Sequence, residues 1–353
     1  MVSHFNQKNS DADERQASDA DAAGAESIVI LAPVYEDWES SFLLLKMLDQ
    51  ELRGADLKAK VVFIDDGSIA EIDEHAIETS GLQAITEVTV VRLAQNLGNQ
   101  RAVAVGVGYV ASDMKCDYLV VMDSDLEDLP EYVPQLIEAS RRSGGKMVFA
   151  ERTKRSEGML FKVLYACYRM LFKVMTGHAI AIGNFSVIPG SLIKRAASIS
   201  DIWNHFPAGI MRAKIPFETI KTRRGTRLHG KSKMNLVSLV IHGFSGLAVH
   251  ADVVVVRAVL GVMLISIVTL ALIAVLIGLN LSGSTFLEGW TLQIVGTLGG
   301  ILFQTLLVLL LMVFLVLVGR NQRRIIPRLD FRDFIFETET IHISTGNPKN
   351  SAE

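Results

Sequence analysis

The chain has 353 residues, half of them hydrophobic, and a formal net charge of −3. That length holds one large domain plus a further segment, and so apolar a composition points to a membrane part. That net charge does not by itself suggest nucleic-acid binding. The only cysteines, Cys116 and Cys167, make neither a disulfide framework nor a metal site and fit a reducing, cytosolic setting.

Residues 1–26 carry Asp11, Asp13, Glu14, Asp19, Asp21 and Glu26 and lack the apolar core of a secretory signal. They are expected to be a disordered acidic tail, because they bury too little apolar surface to offset their ordering entropy. At Ser27 the pattern changes. Residues 27–34 form a continuous apolar run, as in a parallel strand covered on both faces. Phe42, Leu45, Leu48 and Leu52 then mark one face of a helix. Further strands are expected over 59–64, 87–93, 117–122 and 147–150, with helices around 69–80, 99–112 and 130–142. Pro130 opens the last of these, where its missing N–H costs nothing. Alternating strands and helices predict an open α/β sheet with functional groups at the carboxyl ends of its strands.

Residues 157–178 combine an apolar face (Met159, Leu160, Val163, Leu164, Cys167, Met170, Leu171, Val174) with Lys162, Arg169 and Lys173. The pattern fits a basic amphipathic helix in the membrane interface, and equally an ordinary helix packed on the sheet. A similar segment, 235–250, stands directly before a membrane span, which favours the interface there. Residues 253–279 and 292–318 are each apolar enough and long enough to cross a hydrocarbon core of about 30 Å. The loop between them holds Glu288 and no Lys or Arg. Arg257 lies near the start of the first, and Arg320, Arg323, Arg324 and Arg328 follow the second. The positive-inside rule therefore predicts cytoplasmic termini. The expected partition is a tail over 1–26, a catalytic domain over 27–234, a juxtamembrane helix over 235–252, two transmembrane helices over 253–319, and a basic stretch and cytosolic tail over 320–353.

Four motifs fall at strand ends in order: Pro33-Val-Tyr35-Glu36-Asp37, Asp65-Asp66-Gly67-Ser68, Asn96-Leu-Gly98, and Asp123-Ser-Asp125-Leu-Glu127-Asp128. Two carboxylates spaced i, i+2 where the chain leaves a sheet suit a hard Mg²⁺ or Mn²⁺ that shares its shell with a diphosphate. The same residues also read as an acidic turn, with Asp128 capping before Pro130. Asp65 and Asp66 are placed to accept hydrogen bonds from a nucleobase or ribose, with Gly67 letting the chain pass close to a ligand.

Together these motifs resemble the family 2 glycosyltransferases of the GT-A fold, in particular the dolichyl-phosphate mannose synthase group and its bacterial polyprenyl-phosphate relatives. The resemblance spans roughly residues 27–233, and the C-terminal hairpin matches the bacterial layout. It implies an α/β, GT-A-like catalytic domain and an inverting transfer from a nucleotide-sugar donor to a polyprenyl phosphate at the inner membrane. It implies that Pro33, Tyr35, Glu36, Asp65, Asp66, Asn96 and Gly98 hold the nucleotide. By the same resemblance Asp123, Asp125 and Glu127 hold the metal and diphosphate, and Arg152 sits near the donor. Arg227-Leu-His-Gly230-Lys231-Ser232-Lys233 looks like the family's R-x-x-G-x-S-K segment, so Arg227, Ser232 and Lys233 are expected at donor or acceptor phosphate.

Three departures stand out. The family's Asn-Glu after Pro-x-Tyr is Glu36-Asp37. Its Lys after Asn-x-Gly is replaced in Asn99-Gln100-Arg101. Its Gly-Asp-Phe reads Gly183-Asn184-Phe185. Asn184 cannot be a base, which tilts the expected acceptor toward a phosphate that is already ionised at neutral pH. Transfer to a hydroxyl acceptor and a non-catalytic membrane scaffold are the rival readings. Gly296, Gly299 and Gly300 allow close helix approach, so a homo-oligomer is an expectation.

Overall fold

The computed structural model describes residues 26–69, 81–152, 159–177, 182–225, 236–282, 289–320 and 323–343. The acidic tail before Glu26, most of the helix expected over 69–80 and the whole Arg227–Lys233 segment lie outside the described residues.

The strands are β1 (Ile28–Val34), β2 (Ala59–Asp65), β3 (Ile85–Leu93), β4 (Tyr118–Val121), β5 (Met147–Arg152), β6 (Ile182–Pro189), β7 (Phe217–Thr222) and β8 (Ile335–His342). They form one sheet in the order β7-β5-β6-β4-β1-β2-β3-β8. The centre, β4-β1-β2-β3, is parallel. Alternate residues of β1 point into two different cores. Ile28 and Ile30 pack with Leu44, Leu45, Leu48 and Leu52 of α1 (Trp38–Gly54) and with Leu136 and Ile137 of α3 (Val133–Arg142). Val29 and Leu31 pack with Val103, Val107 and Val110 of α2 (Asn99–Asp113) and with Ile193 and Ala196 of α5 (Gly190–Ala197). A sheet covered on both faces explains why its central strands read as unbroken apolar runs. Gly106 of α2 matters here: a Cβ would fall 2.5 Å from a methyl of Leu31 and 2.9 Å from Ile64, so the glycine sets the helix-to-sheet distance.

Two features differ from the sequence reading. β6 enters antiparallel between β4 and β5, so its first residues lie at the carboxyl end of β4, with Ser186 opposite Val121 and Ile182 opposite Glu151. The second concerns the C-terminal stretch, expected as a polar tail. Pro327–Asp330 forms α10, and β8 pairs antiparallel with β3 from Leu93↔Ile335 to Glu87↔His342. Gly108 of α2 abuts this return, since a Cβ there would sit 2.5 Å from the Pro327 carbonyl oxygen. β8 keeps only Ile335, Glu339 and Ile341 partly buried and exposes its other residues, as an edge strand with one wet face does.

Residues 157–180 and 236–324 form a separate compact unit, while 325–353 group with the sheet. The second unit contains α4 (Met159–Thr176), α7 (Leu236–Val249), α8 (Ala251–Leu281) and α9 (Thr291–Arg320). Phe172 is buried against His250, with ring centroids 6.0 Å apart, and Arg257 of α8 donates to the Val174 carbonyl at the end of α4. Helices α8 and α9 pack on each other and are long and apolar enough to cross a membrane, and their side chains are otherwise largely exposed.

Candidate active site

The carboxyl ends of β1, β2, β3, β4, β5 and β7 and the amino end of β6 open on one edge of the sheet, as their registers require. Every described motif residue lies along it.

At the end of β1, Pro33 is fully within the strand, and its carbonyl accepts from Ser124 Oγ at 2.7 Å. This bond ties the Asp123–Asp128 loop to the neighbouring strand. Tyr35 follows with 40% of its surface exposed, a flat aromatic face at the mouth of the site. Glu36 adopts φ +50°, a conformation that only a local constraint sustains in a non-glycine residue. The constraint is visible: its N–H donates to Ser68 Oγ at 2.9 Å, and its Oε1 accepts from the Ile69 N–H at 2.5 Å.

Asp65 and Asp66 are both 3% exposed. Asp65 accepts from the Ser68 N–H at 3.0 Å. Asp66 grips the next loop with both oxygens, from the Leu97 N–H at 2.7 Å and the Gly98 N–H at 2.9 Å. Burial lifts its carboxyl from the ordinary 3.8 to about 6, and the two amide donors and Arg101 only partly oppose that rise. Gly67, expected to let the chain pass close to a ligand, has a φ of +72° and lies against the 95–96 backbone, where a Cβ would sit 2.6 Å from Asn96 N. Asp66 and Gly67 thus shape the Asn96–Gly98 loop, and Gly98, at φ +88°, starts α2.

In the acidic loop after β4, burial alternates. Ser124, Leu126 and Asp128 turn inward, while Asp123, Asp125 and Glu127 are partly exposed on the open side. The following helical turn has Leu129 as its N-cap, and Asp128 Oδ2 accepts from the Asp123 N–H at 3.0 Å. Asp125 Oδ1 accepts from the Glu127 N–H at 3.1 Å. Glu127, expected as a metal ligand, is ion-paired with Arg224, whose Nε lies 3.0 Å from Glu127 Oε2. The chain after β7 runs so close to this loop that a Cβ on Gly225 would stand 2.2 Å from the Leu126 carbonyl, while the Gly225 N–H donates to the Glu127 carbonyl at 2.9 Å. Arg224 was not found from the sequence, because only the long-range pairing of β7 beside β5 brings it here.

The two departures in Asn99-Gln100 and Asn184 meet in space. Asn99 Nδ2 donates to Asp123 Oδ1 at 3.1 Å, Asn184 Nδ2 donates to Asn99 Oδ1 at 2.9 Å, and Gln100 Nε2 donates to Asn184 Oδ1 at 3.0 Å. Gln100 Oε1 accepts from the Phe206 N–H at 2.7 Å, at the start of α6 (Phe206–Arg212). Asn184 is 9% exposed. Arg152 ends β5 on the same edge, opposite Thr222. Arg227, Ser232 and Lys233 lie outside the described residues.

Among the described residues, no group of three or more His, Cys, Asp or Glu is arranged to hold a metal. Asp123 and Asp125 nevertheless fit a hard divalent cation. They are oxygen donors on the open side of the loop, and two protein carboxylates leave room for phosphate oxygens in an octahedral shell. An edge carrying Asp65, Asp66, Asp123 and Asp125 also repels a free diphosphate unless a cation lies between.

Residues 30–203 match the family model "Glycosyl transferase family 2". Those residues form a family 2 glycosyl transferase domain. With the sheet above, that match makes the domain the GT-A-like α/β unit that the motifs imply. The match runs from within β1 through β6 and takes in every described site residue up to Trp203. A curated relative, the undecaprenyl-phosphate 4-deoxy-4-formamido-L-arabinose transferase of Salmonella choleraesuis, is 26% identical over 159 residues, 45% of this chain and 47% of the relative. The chain thus matches about half the length of that relative. Among solved structures it resembles the mannosyl-3-phosphoglycerate synthase of Rubrobacter xylanophilus (13% identity, 64% of this chain and 73% of the other, TM-score 0.45). It also resembles the glucosyl-3-phosphoglycerate synthase of Mycobacterium tuberculosis, solved with Mn²⁺, UDP and phosphoglyceric acid (16% identity, 67% and 80%, TM-score 0.45).

Proposed function

We propose that this glycosyl transferase domain moves a sugar from a nucleotide-sugar donor to a polyprenyl phosphate at the cytoplasmic face of the inner membrane. The observation that carries the reading is the convergence, on one sheet edge, of Tyr35, the Asp65 loop and the outward pair Asp123 and Asp125. The relative's printed name supplies the acceptor class, undecaprenyl phosphate.

In this reading Tyr35 stacks on the nucleobase and Asp65 orients the ribose side of the donor. Asp123 and Asp125 hold Mg²⁺ or Mn²⁺, which when bound supplies Lewis-acid neutralisation of the departing nucleoside diphosphate. An acceptor phosphate oxygen forms the new bond to the anomeric carbon as the bond to the diphosphate breaks, with inversion. Asn184 takes no proton, and none needs taking: a phosphate monoester with a second pKa of about 6 is already largely ionised at neutral pH. What remains for the protein is positioning. Arg152, Arg227, Ser232 and Lys233 are assigned to donor and acceptor phosphates on the strength of the family pattern. Glu127, paired with Arg224, is reassigned from metal ligand to loop anchor.

Membrane attachment is assigned to α8 and α9, with α4 in the interface. Met170, Leu171 and Val174 of α4 are at least half exposed and stand beside Arg169 and Lys173, which suits a helix lying among headgroups. Residues on both sides of the two spans contribute strands to one sheet, β7 before and β8 after. An even number of crossings therefore lies between them, which supports both termini on the catalytic side. On α9, a Cβ at Gly296, Gly299 or Gly300 would meet nothing within 4 Å, a surface open to a second copy. Crosslinking in membranes that yields dimers or larger species is expected, and monomers alone would remove that assignment.

The acceptor class is tested by offering purified protein either undecaprenyl phosphate or undecaprenol, with Mn²⁺ and a panel of UDP- and GDP-sugars. Product from the phosphate alone is expected. Product from the alcohol alone would move the reading to a hydroxyl acceptor. Failure to bind any donor would favour a scaffold.

A further inference from the structure

We propose that Gln100, Asn184 and Asn99 form a one-way relay of side-chain amides that positions Asp123, and that Asn184 serves there as a positioning residue rather than at the acceptor. The proposal rests on the reading of Asp123 as a cation ligand.

The direction of the relay is fixed at both ends. The Phe206 N–H is only a donor, so the group facing it at 2.7 Å is the oxygen of Gln100. The Gln100 amide nitrogen must then face Asn184 and donate to its oxygen at 3.0 Å. That turns the Asn184 nitrogen to Asn99, whose oxygen accepts at 2.9 Å. The Asn99 nitrogen is left to donate at 3.1 Å to Asp123, a carboxylate that when ionised only accepts. No link can flip alone, because a flip sets oxygen against oxygen or N–H against N–H on both sides. The orientation of each amide, ordinarily ambiguous, is thus determined by a backbone donor at one end and an ionised acceptor at the other.

The consequence is mechanical. Asp123 is held from two sides, by its own N–H bonded to Asp128 and by the relay on Oδ1. With Oδ1 tethered, rotation of the Asp123 carboxylate is restricted. The relay also joins four segments that are far apart in the chain: the acidic loop, the start of α2, the start of β6 and the start of α6. An aspartate at 184 could only accept. It would turn the Asn99 nitrogen inward and leave the Asn99 oxygen facing Asp123. Asn99 and Asn184 are therefore one paired choice.

The test uses the full chain in detergent and Mn²⁺ alone as the probe, read by loss of the free-ion EPR signal, with melting temperature recorded in parallel. Asn184→Leu and Gln100→Leu are each expected to weaken Mn²⁺ binding about 3–10-fold, the worth of one net hydrogen bond. Neither residue contacts Asp123 directly. The double variant is expected to be no weaker than the worse single, because either change cuts the same chain. Unchanged Mn²⁺ affinity in Gln100→Leu, or losses that multiply in the double variant, would overturn the relay. Asn184→Ser and Gln100→Ala take the place of any leucine variant that does not fold. Wild-type protein that binds no Mn²⁺ would sink the cation-site reading. The relay would then be judged by melting temperature, where the same non-additivity supports it and additive losses refute it.

Discussion

At the scale of single residues, the buried carboxylates of this domain are builders as much as reagents. Asp49 on α1 is 2% exposed, and one oxygen accepts from the N–H groups of Gln83, Ala84 and Ile85 at 2.8, 2.7 and 3.1 Å. The other oxygen pairs with Arg53 at 3.1 Å. Asp49→Ala is expected to cost roughly 2–4 kcal/mol, because it strands backbone donors at the start of β3. Asp49→Asn keeps the oxygen that accepts all three and should cost clearly less in the same denaturation measurement. Asp66 gives a pH signature. Its carboxyl, raised to about 6, binds a proton more tightly in the folded protein than in the unfolded chain. Its contribution to stability is therefore fully present below about pH 4 and is lost as pH rises through 6. The melting temperature of the wild type, taken relative to Asp66→Asn, should fall between pH 4 and pH 7, and a flat difference would contradict the assignment.

At the scale of elements, the C-terminal return is the least expected feature. Gly108 of α2 lets Pro327 approach, and Tyr109 meets Phe331 edge-on at 6.2 Å. Gly108→Val is expected to lower stability by about 1–3 kcal/mol through overpacking against the Pro327 backbone, measurable by thermal melting. The central strands were legible in the sequence because burial on both faces leaves a continuous apolar run, and their ends carry the motifs. β6, β7 and β8 were not legible. β7, Phe-Glu-Thr-Ile-Lys-Thr, and β8 are edge strands with polar residues at most positions, and propensity says little where pairing partners decide the outcome. The same holds within the site. Asp65, Asp123 and Asp125 stand at the strand ends that their motifs marked. The pairing of Glu127 with Arg224 and the meeting of Gln100 with Asn184 depend on contacts across more than 80 residues, which no local spacing announces.

At the scale of the whole molecule, the presence of β7 and β8 in one sheet predicts that both flanks of the two proposed spans share one side of the membrane. In a background lacking Cys116 and Cys167, a cysteine at Ser282 should react with an impermeant maleimide applied from outside the cytoplasm. Cysteines at Lys58 or Phe336 should react only after permeabilisation. The reverse pattern would place the sheet on the wrong side for a nucleotide donor. The central claim is that Asp125 helps bind the cation under the donor diphosphate, and one measurement tests it most directly. Wild type and Asp125→Ala, matched in melting temperature, are incubated with undecaprenyl phosphate, a nucleotide-sugar panel and Mn²⁺, and the lipid fraction is read by mass spectrometry. The account predicts a lipid-linked sugar from the wild type that disappears with chelator and falls at least about 100-fold in Asp125→Ala. Equal product from the two proteins, or product undiminished by chelator, would contradict it.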